Sequence, residues 1–340
     1  MMRLPYFRYL APRSVREAAE LLAANSTGAM LVAGGTDVLP NMKRRQQVPG
    51  TLVGLRQIAE LKQITNGDGL RVGAGITLTQ LIAHLETPGA YAALRQAAAQ
   101  VATPHLRNMG TLGGNLCLDT RCNYYDQNYE WRKAINFCMK KDGETCWVAP
   151  SSSKCLAVSS TDTAPALLAL GATVTLVSAE KTRTVALPDF YRNDGIYYLT
   201  RQPKEILTAI HVPRLDGWRS PYWKLRRRGS FDFPVLSVAA ALKMAQDGSV
   251  EAARIVLGAV ASRPVDAPAA AASLVGERLT DEAIAQAAEL AAVPARPMDN
   301  TDFTLAWRKR VTRDFVTYAL REVRGDDVSK LRRSIARYLV

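Results

Sequence analysis

Cysteine is missing from all but one stretch of this chain. Of 340 residues, only Cys117, Cys122, Cys138, Cys146 and Cys155 carry a thiol. The number is odd, the chain is long, and its start, Met1-Met2-Arg3-Leu4-Pro5-Tyr6-Phe7, lacks the apolar core and small-residue cleavage site of an export signal. These features argue against a disulfide framework and lead us to expect a cytoplasmic location. Long hydrophobic runs are absent too: none approaches the roughly 20 residues of a membrane helix. Histidine occurs only as His84, His105 and His211, with no pair at metal-ligand spacing and no Ser-His-Asp order. Histidine-based metal chemistry and a nucleophilic catalyst are therefore poorly supported. No glycine turn is followed by Gly-Lys-Ser/Thr, which excludes a Walker loop, and the third glycine of the Rossmann fingerprint is lacking. No helix-turn-helix, zinc-finger or RNA-binding signature is present, so nucleic acid is not an expected partner.

What the chain does have is ordinary globular composition, 48% hydrophobic and 22% charged, and a formal net charge of +13. Its length suffices for two or three domains with real cores. The basic residues are scattered, with the densest run at Arg226-Arg227-Arg228. Such a surface is either simply solvated or suited to acidic proteins and anionic cofactors.

Hydrophobic periodicity alternates between helix and strand along the whole length. Residues 13–25 read as an amphipathic helix with Ser14 as cap, and Ala29–Ala33 as a short buried strand. Further strands are expected at 51–55, 70–75, 172–177, 205–213 and 250–260, with mixed apolar runs at 222–225 and 234–242. Helices are expected at 76–82 with Thr77 as cap, 91–101, 166–170, 267–274, 281–290, 305–324 and 328–339. The Asp/Gly/Arg-rich segment 214–220 is a plausible domain boundary.

Three stretches carry the chemistry. Ala33-Gly34-Gly35-Thr36-Asp37 follows directly on a strand, where glycines let the backbone turn and bring N–H groups to an anion. Arg107-Asn108-Met109-Gly110-Thr111-Leu112-Gly113-Gly114-Asn115 is a second glycine turn, and Thr161-Asp162-Thr163-Ala164-Pro165 a third, polar one. All five cysteines lie between the second and third. Soft thiolates in a set of four suit an iron–sulfur cluster, and zinc also takes four cysteines. Structural zinc sites usually contain closely spaced pairs, whereas here the spacing is Cys122-x15-Cys138-x7-Cys146-x8-Cys155. That wide spacing suits a loop wrapped round a cube-shaped cluster. Cys117, between two leucines, reads instead as a small buried hydrophobe.

The three motifs, in this order, resemble the FAD-binding subunits of the molybdenum hydroxylases, a family that includes xanthine dehydrogenase and carbon monoxide dehydrogenase. The resemblance covers essentially the whole chain. It implies an α+β fold: an FAD-binding domain over residues 1–216, with subdomains of about 1–57 and 58–216, and a C-terminal α+β domain over 217–340 with a three-stranded antiparallel sheet. FAD would lie on Ala33, Gly34, Gly35, Thr36 and Asp37 and on Thr111, Gly113, Gly114 and Asn115. Asp162 would be the family's acidic turn, and Lys224 would stand near the flavin ring, with Trp223 and Arg226 as neighbours that could serve instead.

In most of the family the second and third turns are only about ten residues apart, a length within ordinary loop priors. Residues 116–160 are thus an insertion. In this the chain resembles the beta subunit of 4-hydroxybenzoyl-CoA reductase, in which four cysteines of such a loop hold a 4Fe–4S cluster. Thr120-Arg121-Cys122-Asn123-Tyr124-Tyr125-Asp126-Gln127-Asn128 and Lys154-Cys155-Leu156-Ala157-Val158 carry that likeness. It implies that Cys122, Cys138, Cys146 and Cys155 are ligands and that no residue of this chain is itself catalytic. Ferredoxin would supply electrons through the cluster and FAD to 2Fe–2S clusters of a small subunit and a molybdenum cofactor of a large one, in a dimer of heterotrimers. A bacterial aldehyde oxidoreductase subunit is the alternative within the same class; a nucleotide-binding module with structural zinc is the alternative outside it.

Overall fold

The structure, a computed structural model, describes residues 3–25, 28–85, 89–229 and 231–335. The last part of the helix expected over 328–339 falls outside them. Three sheets follow one another along the chain. The first is parallel, built from β1 (Arg8–Leu10), β2 (Ala29–Val32) and β3 (Thr51–Gly54), in the order β1-β3-β2. Parallel strands need a crossover, and Val15–Ala24 supplies the first one. Ser14 accepts the Glu17 N–H at 3.1 Å to start that helix, and Ala18, Ala19 and Leu22 form its buried face.

The second sheet is antiparallel: β4 (Ile64–Gly67), β5 (Gly69–Gly73), β6 (Thr173–Val177), β7 (Thr182–Ala186) and β8 (Ile206–Val212), in the order β4-β5-β8-β6-β7. The helices Ala92–Ala99 and Thr163–Ala169 belong to the same core. Thr77 opens the helix Leu78–His84 with a full capping box to Gln80. The turn at 111–115 closes as a short helix, Leu112–Leu116, that the glycine-rich sequence hid.

The third sheet holds the three long antiparallel strands expected of the C-terminal part, β10 (Tyr222–Leu225), β11 (Leu236–Met244) and β12 (Val250–Gly258). Two-residue strands β9 (Trp218–Arg219) and β13 (Val265–Asp266) extend it to five. Such short pairings carry no readable periodicity, and β9 lies within the segment expected to be a boundary. Helices Asp281–Ala292 and Leu305–Arg324 close the core of this sheet with Ala287, Ala291, Phe315 and Leu320. The α+β expectation is met throughout. Among the described residues no helix is long and apolar enough to cross a membrane.

Candidate functional site

A cleft of about 520 Å³ opens at the carboxyl end of β2. That is an ordinary size for a small-molecule site, and the end of a parallel strand is where α/β folds place ligands. Ala33 to Asp37 form one rim; Thr111, Gly113, Gly114 and Asn115 form the facing one; Asp162 lies at the back. The two rims touch at Gly34, where an added Cβ would stand 1.9 Å from the Met109 carbonyl oxygen. Only glycine allows that approach of backbone to backbone.

The rims differ chemically. Among the hydrogen bonds of the described residues, none is donated by the backbone N–H of Gly34, Gly35, Thr36 or Asp37. Gly35 has φ +72°, so this turn presents the kind of N–H concavity that binds anions. In the facing turn the N–H groups of Leu112 to Asn115 are already engaged. Leu112 donates to Ile76 O at 2.9 Å, Gly113 to Ala74 O at 2.9 Å, Asn115 to Thr111 O at 2.9 Å and Gly114 to Thr111 Oγ1 at 3.0 Å. At Gly113 and Gly114 that turn offers the cleft a wall without side chains. Ser160 Oγ and Gln47 Oε1, both on residues of the cleft wall, are buried without a partner in the protein, as expected where a polar ligand completes the bonding.

Asn115 locks the second motif to the third. Its Oδ1 accepts from Thr161 Oγ1 at 2.8 Å, Thr163 Oγ1 at 2.6 Å and Thr163 N at 3.1 Å. Asp162, though at the N-terminus of Thr163–Ala169, does not cap it. Its carboxylate turns instead into the third sheet, accepting from Tyr222 Oη at 2.7 Å and Lys224 Nζ at 2.9 Å. Burial pushes the Asp162 carboxyl above its usual range and the Lys224 ammonium below its own, and each partner partly offsets the other's shift.

Lys224 is the one predicted cofactor residue that does not line the cleft. Its ammonium is held between Asp162 and Gln100 O, at 2.9 Å from each. Alternation along β10 explains the arrangement: Tyr222 and Lys224 share one face, and Trp223 points the other way. There Trp223 packs on Phe315 and Tyr318, so it does not substitute for Lys224 at the cleft. In the run Arg226-Arg227-Arg228, Arg227 pairs with Asp302 at 3.0 Å and Arg228 with Asp232 at 2.5 Å.

Sequence reasoning missed several cleft residues. Arg121 donates to Asp37, to Asn41 Oδ1 at 3.1 Å and to Asp126 Oδ1 at 3.3 Å, tying the start of the insertion to the first rim. Phe231 and Phe233 also line the cleft and remain 54% and 47% exposed, and the Arg121 guanidinium stands 4.8 Å from the Phe233 ring centre. The alternating Phe-Asp-Phe after the arginine run was the available signal.

The insertion gathers its thiols beyond the cleft. Cys122, Cys138 and Cys155 pack in one cluster with Tyr125 and Ala157, and Cys146 is buried and close enough to Cys155 to act on it electrostatically. Burial pushes the Cys122 thiol up to about 12 and Cys155 up to about 11. Cys117 stands apart on the cleft wall, beside Tyr191 and Tyr198, and burial raises its thiol too. Among the described residues no three histidine, cysteine or carboxylate groups converge on one metal ion. Four buried thiols in one loop are a donor set whose chemistry fits an iron–sulfur cluster or zinc. Arg132, in the insertion helix Tyr129–Ala134, is fully buried; none of its three guanidinium nitrogens has a hydrogen-bond partner, and it pairs with Asp142 at 3.7 Å.

Residues 5–215 match the family described as "FAD binding domain in molybdopterin dehydrogenase", and residues 221–323 match "CO dehydrogenase flavoprotein C-terminal domain". The chain is 35% identical over 278 residues to the aldehyde oxidoreductase FAD-binding subunit PaoB of Escherichia coli K12, covering 79% of this chain and 86% of that one. It is 30% identical over 293 residues to the carbon monoxide dehydrogenase medium chain of Afipia carboxidovorans, covering 86% and 87%. Its fold superposes on reconstituted CO dehydrogenase from Oligotropha carboxidovorans with a TM-score of 0.78 at 27% identity, over 95% of this chain and 99% of that one.

Proposed function

The chain belongs to the FAD-binding medium subunits of the molybdenum hydroxylases, and from that premise we propose that it is the FAD- and 4Fe–4S-bearing electron-transfer subunit of a molybdenum oxidoreductase. The observation that carries the reading is the pairing of two sites: an anion-binding turn in a ligand-sized cleft, and four buried thiols behind its wall. When bound, FAD and the cluster supply the electron chemistry. The chain's own residues hold and orient them. The free N–H groups of Gly34 to Asp37 take the pyrophosphate, the side-chain-free wall at Gly113 and Gly114 admits it, and Asn115 fixes the wall to the Asp162 turn. Lys224 acts on the site through Asp162. Cys122, Cys138, Cys146 and Cys155 ligate the cluster, and Cys117 does not.

The division of the chain at 216/217, with about 1–57 and 58–216 as subdomains, belongs to the same reading. It is supported by the containment of the three sheets within 8–54, 64–212 and 218–266. The partners are a large molybdenum subunit and a small 2Fe–2S subunit in a dimer of heterotrimers, with an acidic ferredoxin meeting the basic surface.

For the substrate of the whole enzyme two readings have support. The likeness to an aldehyde oxidoreductase subunit extends over most of the chain and favours an aldehyde. The motifs at 120–128 and 154–158 favour reductive dehydroxylation of 4-hydroxybenzoyl-CoA, and they lie within one loop. The test is the purified complex. Flavin bands with broad absorption near 400 nm are expected, with one FAD and four irons per copy of this chain beyond those of the 2Fe–2S subunit, and zinc in place of those four irons would sink the cluster assignment. Turnover with an aldehyde against turnover with 4-hydroxybenzoyl-CoA and a low-potential donor then separates the two substrates.

A further inference from the structure

A single buried lysine joins the cleft to the thiols. Lys140 lies in the cysteine loop, and its side chain is 6% exposed. Its Nζ donates to Asp119 Oδ1 at 2.8 Å, Thr120 Oγ1 at 2.8 Å and Gly195 O at 2.6 Å. All three of its donors are used. Asp119 lines the cleft and also accepts from Tyr125 Oη at 3.1 Å and Gln47 Nε2 at 3.4 Å. The same ammonium stands 4.9 Å from the ring centre of Tyr125 and 5.7 Å from that of Tyr198. Tyr198 is in the cleft wall, whereas Tyr125 packs among Cys122, Cys138 and Cys155.

On the thiol side the link is Gly195. Its N–H donates to Cys155 O at 2.8 Å, and a Cβ on it would stand 2.7 Å from Cys155 Sγ. The carbonyl that holds Lys140 therefore belongs to the residue pressed against Cys155. One fixed cation is built into the partition between the two sites.

We propose that Lys140 is a positioning residue that, through its charge, sets the reduction potential of the centre held by the four cysteines. The inference rests on the iron–sulfur reading given above. A buried cation favours the more negative, reduced form of a neighbouring redox centre. At a separation of roughly 10 Å and an effective dielectric of about 20, one charge changes a one-electron equilibrium by on the order of tenfold. Asp119 neutralises the pair as a whole, but the end turned to Gly195 and Cys155 is the ammonium.

The experiment is a redox titration of the purified complex, read by EPR of the 4Fe–4S centre, with iron and flavin content measured in parallel. In Lys140→Met the reduced-to-oxidised ratio at a fixed potential falls about tenfold, with flavin retained. Lys140→Arg keeps the charge and the wild-type ratio. The double variant Lys140→Met/Asp119→Asn removes both ends of the pair, avoids a stranded carboxylate and recovers part of the shift. An unchanged ratio in Lys140→Met at full iron content overturns the proposal. Loss of iron from both Met variants with flavin retained also overturns it, because Lys140 would then be a brace and not a tuner. Wild-type complex without a 4Fe–4S EPR signal refutes the underlying cluster reading instead, and is seen before any variant is made.

Discussion

Gly114→Val separates the needs of the cleft from the needs of the fold. A Cβ at Gly114 would meet only Thr111 Oγ1, at 3.0 Å, and otherwise open space. The hydroxyl must give by a few tenths of an ångström, while the change from glycine to valine in a helix gains a few tenths of a kcal/mol, so stability should stay within about 1 kcal/mol of wild type. The two methyl groups enter the cleft where the cofactor backbone approaches. Overpacking against an unyielding wall costs about 1–3 kcal/mol or more, a loss of roughly ten- to a hundredfold or greater in FAD affinity. Gly113→Ala is the contrast: its Cβ would stand 2.6 Å from Ala74 Cβ and 2.9 Å from Ala74 O, so it should lower the melting temperature even in flavin-free chain. The assay is flavin content after purification, with thermal melts of both variants and wild type. Gly114→Val purified with full FAD, or melting as low as Gly113→Ala, would refute the division of labour between these adjacent glycines.

Cys122→Ser, Cys138→Ser, Cys146→Ser and Cys155→Ser should each lose iron or hold it weakly, and Cys117→Ser should retain it; iron analysis that reverses any of these redraws the ligand set. Lys224→Met leaves the Asp162 carboxylate buried with Tyr222 alone and should destabilise by about 3–5 kcal/mol in urea unfolding, much of it recovered in Lys224→Met/Asp162→Asn. Arg183 donates to Glu205 at 2.6 and 2.8 Å and holds its carboxyl below the usual range. A carboxylate depressed in the folded state contributes stability above its unfolded value of about 4.3 and loses it as pH falls through the lower folded value. The stability gap between wild type and Glu205→Gln should therefore narrow as pH drops below about 5, and a gap that widens there would contradict the assignment.

Most elements were legible because their signals are local. The Ser14, Thr77, Thr280 and Thr304 caps and the apolar faces behind them mark helices without reference to the rest of the chain. The short helix at 112–116 was hidden because glycines have low helix propensity, and here hydrogen bonds to Ile76 and Ala74 override it. At the site, the glycine motifs named the rims but not their chemistry. Which rim has free N–H groups depends on what the neighbouring strand offers, and that is a tertiary fact. Lys224 was expected near the flavin ring because the family resemblance implies a basic residue there. Only the strand's alternation and the buried Asp162 show that its charge is already matched. Phe231 and Phe233 reach the cleft from a segment remote in sequence from the glycine turns, and Arg121, though close to the second turn in sequence, meets the first rim through Asp37, a contact that only the fold supplies.

The cysteine loop leaves and rejoins the protein at a single antiparallel bridge. Arg121 N donates to Val158 O at 2.8 Å, and Val158 N to Arg121 O at 2.7 Å. Cys122 to Ala157 lie beyond that neck and are fastened to the body by Asn300, which donates to Leu156 O at 2.6 Å, by Gln46, which donates to Tyr125 O at 2.6 Å, and by the Lys140 and Gly195 contacts described above. No residue from Cys122 to Ala157 belongs to any of the three sheets, so each sheet is complete without the loop, which is an addition to the scaffold and not one of its layers.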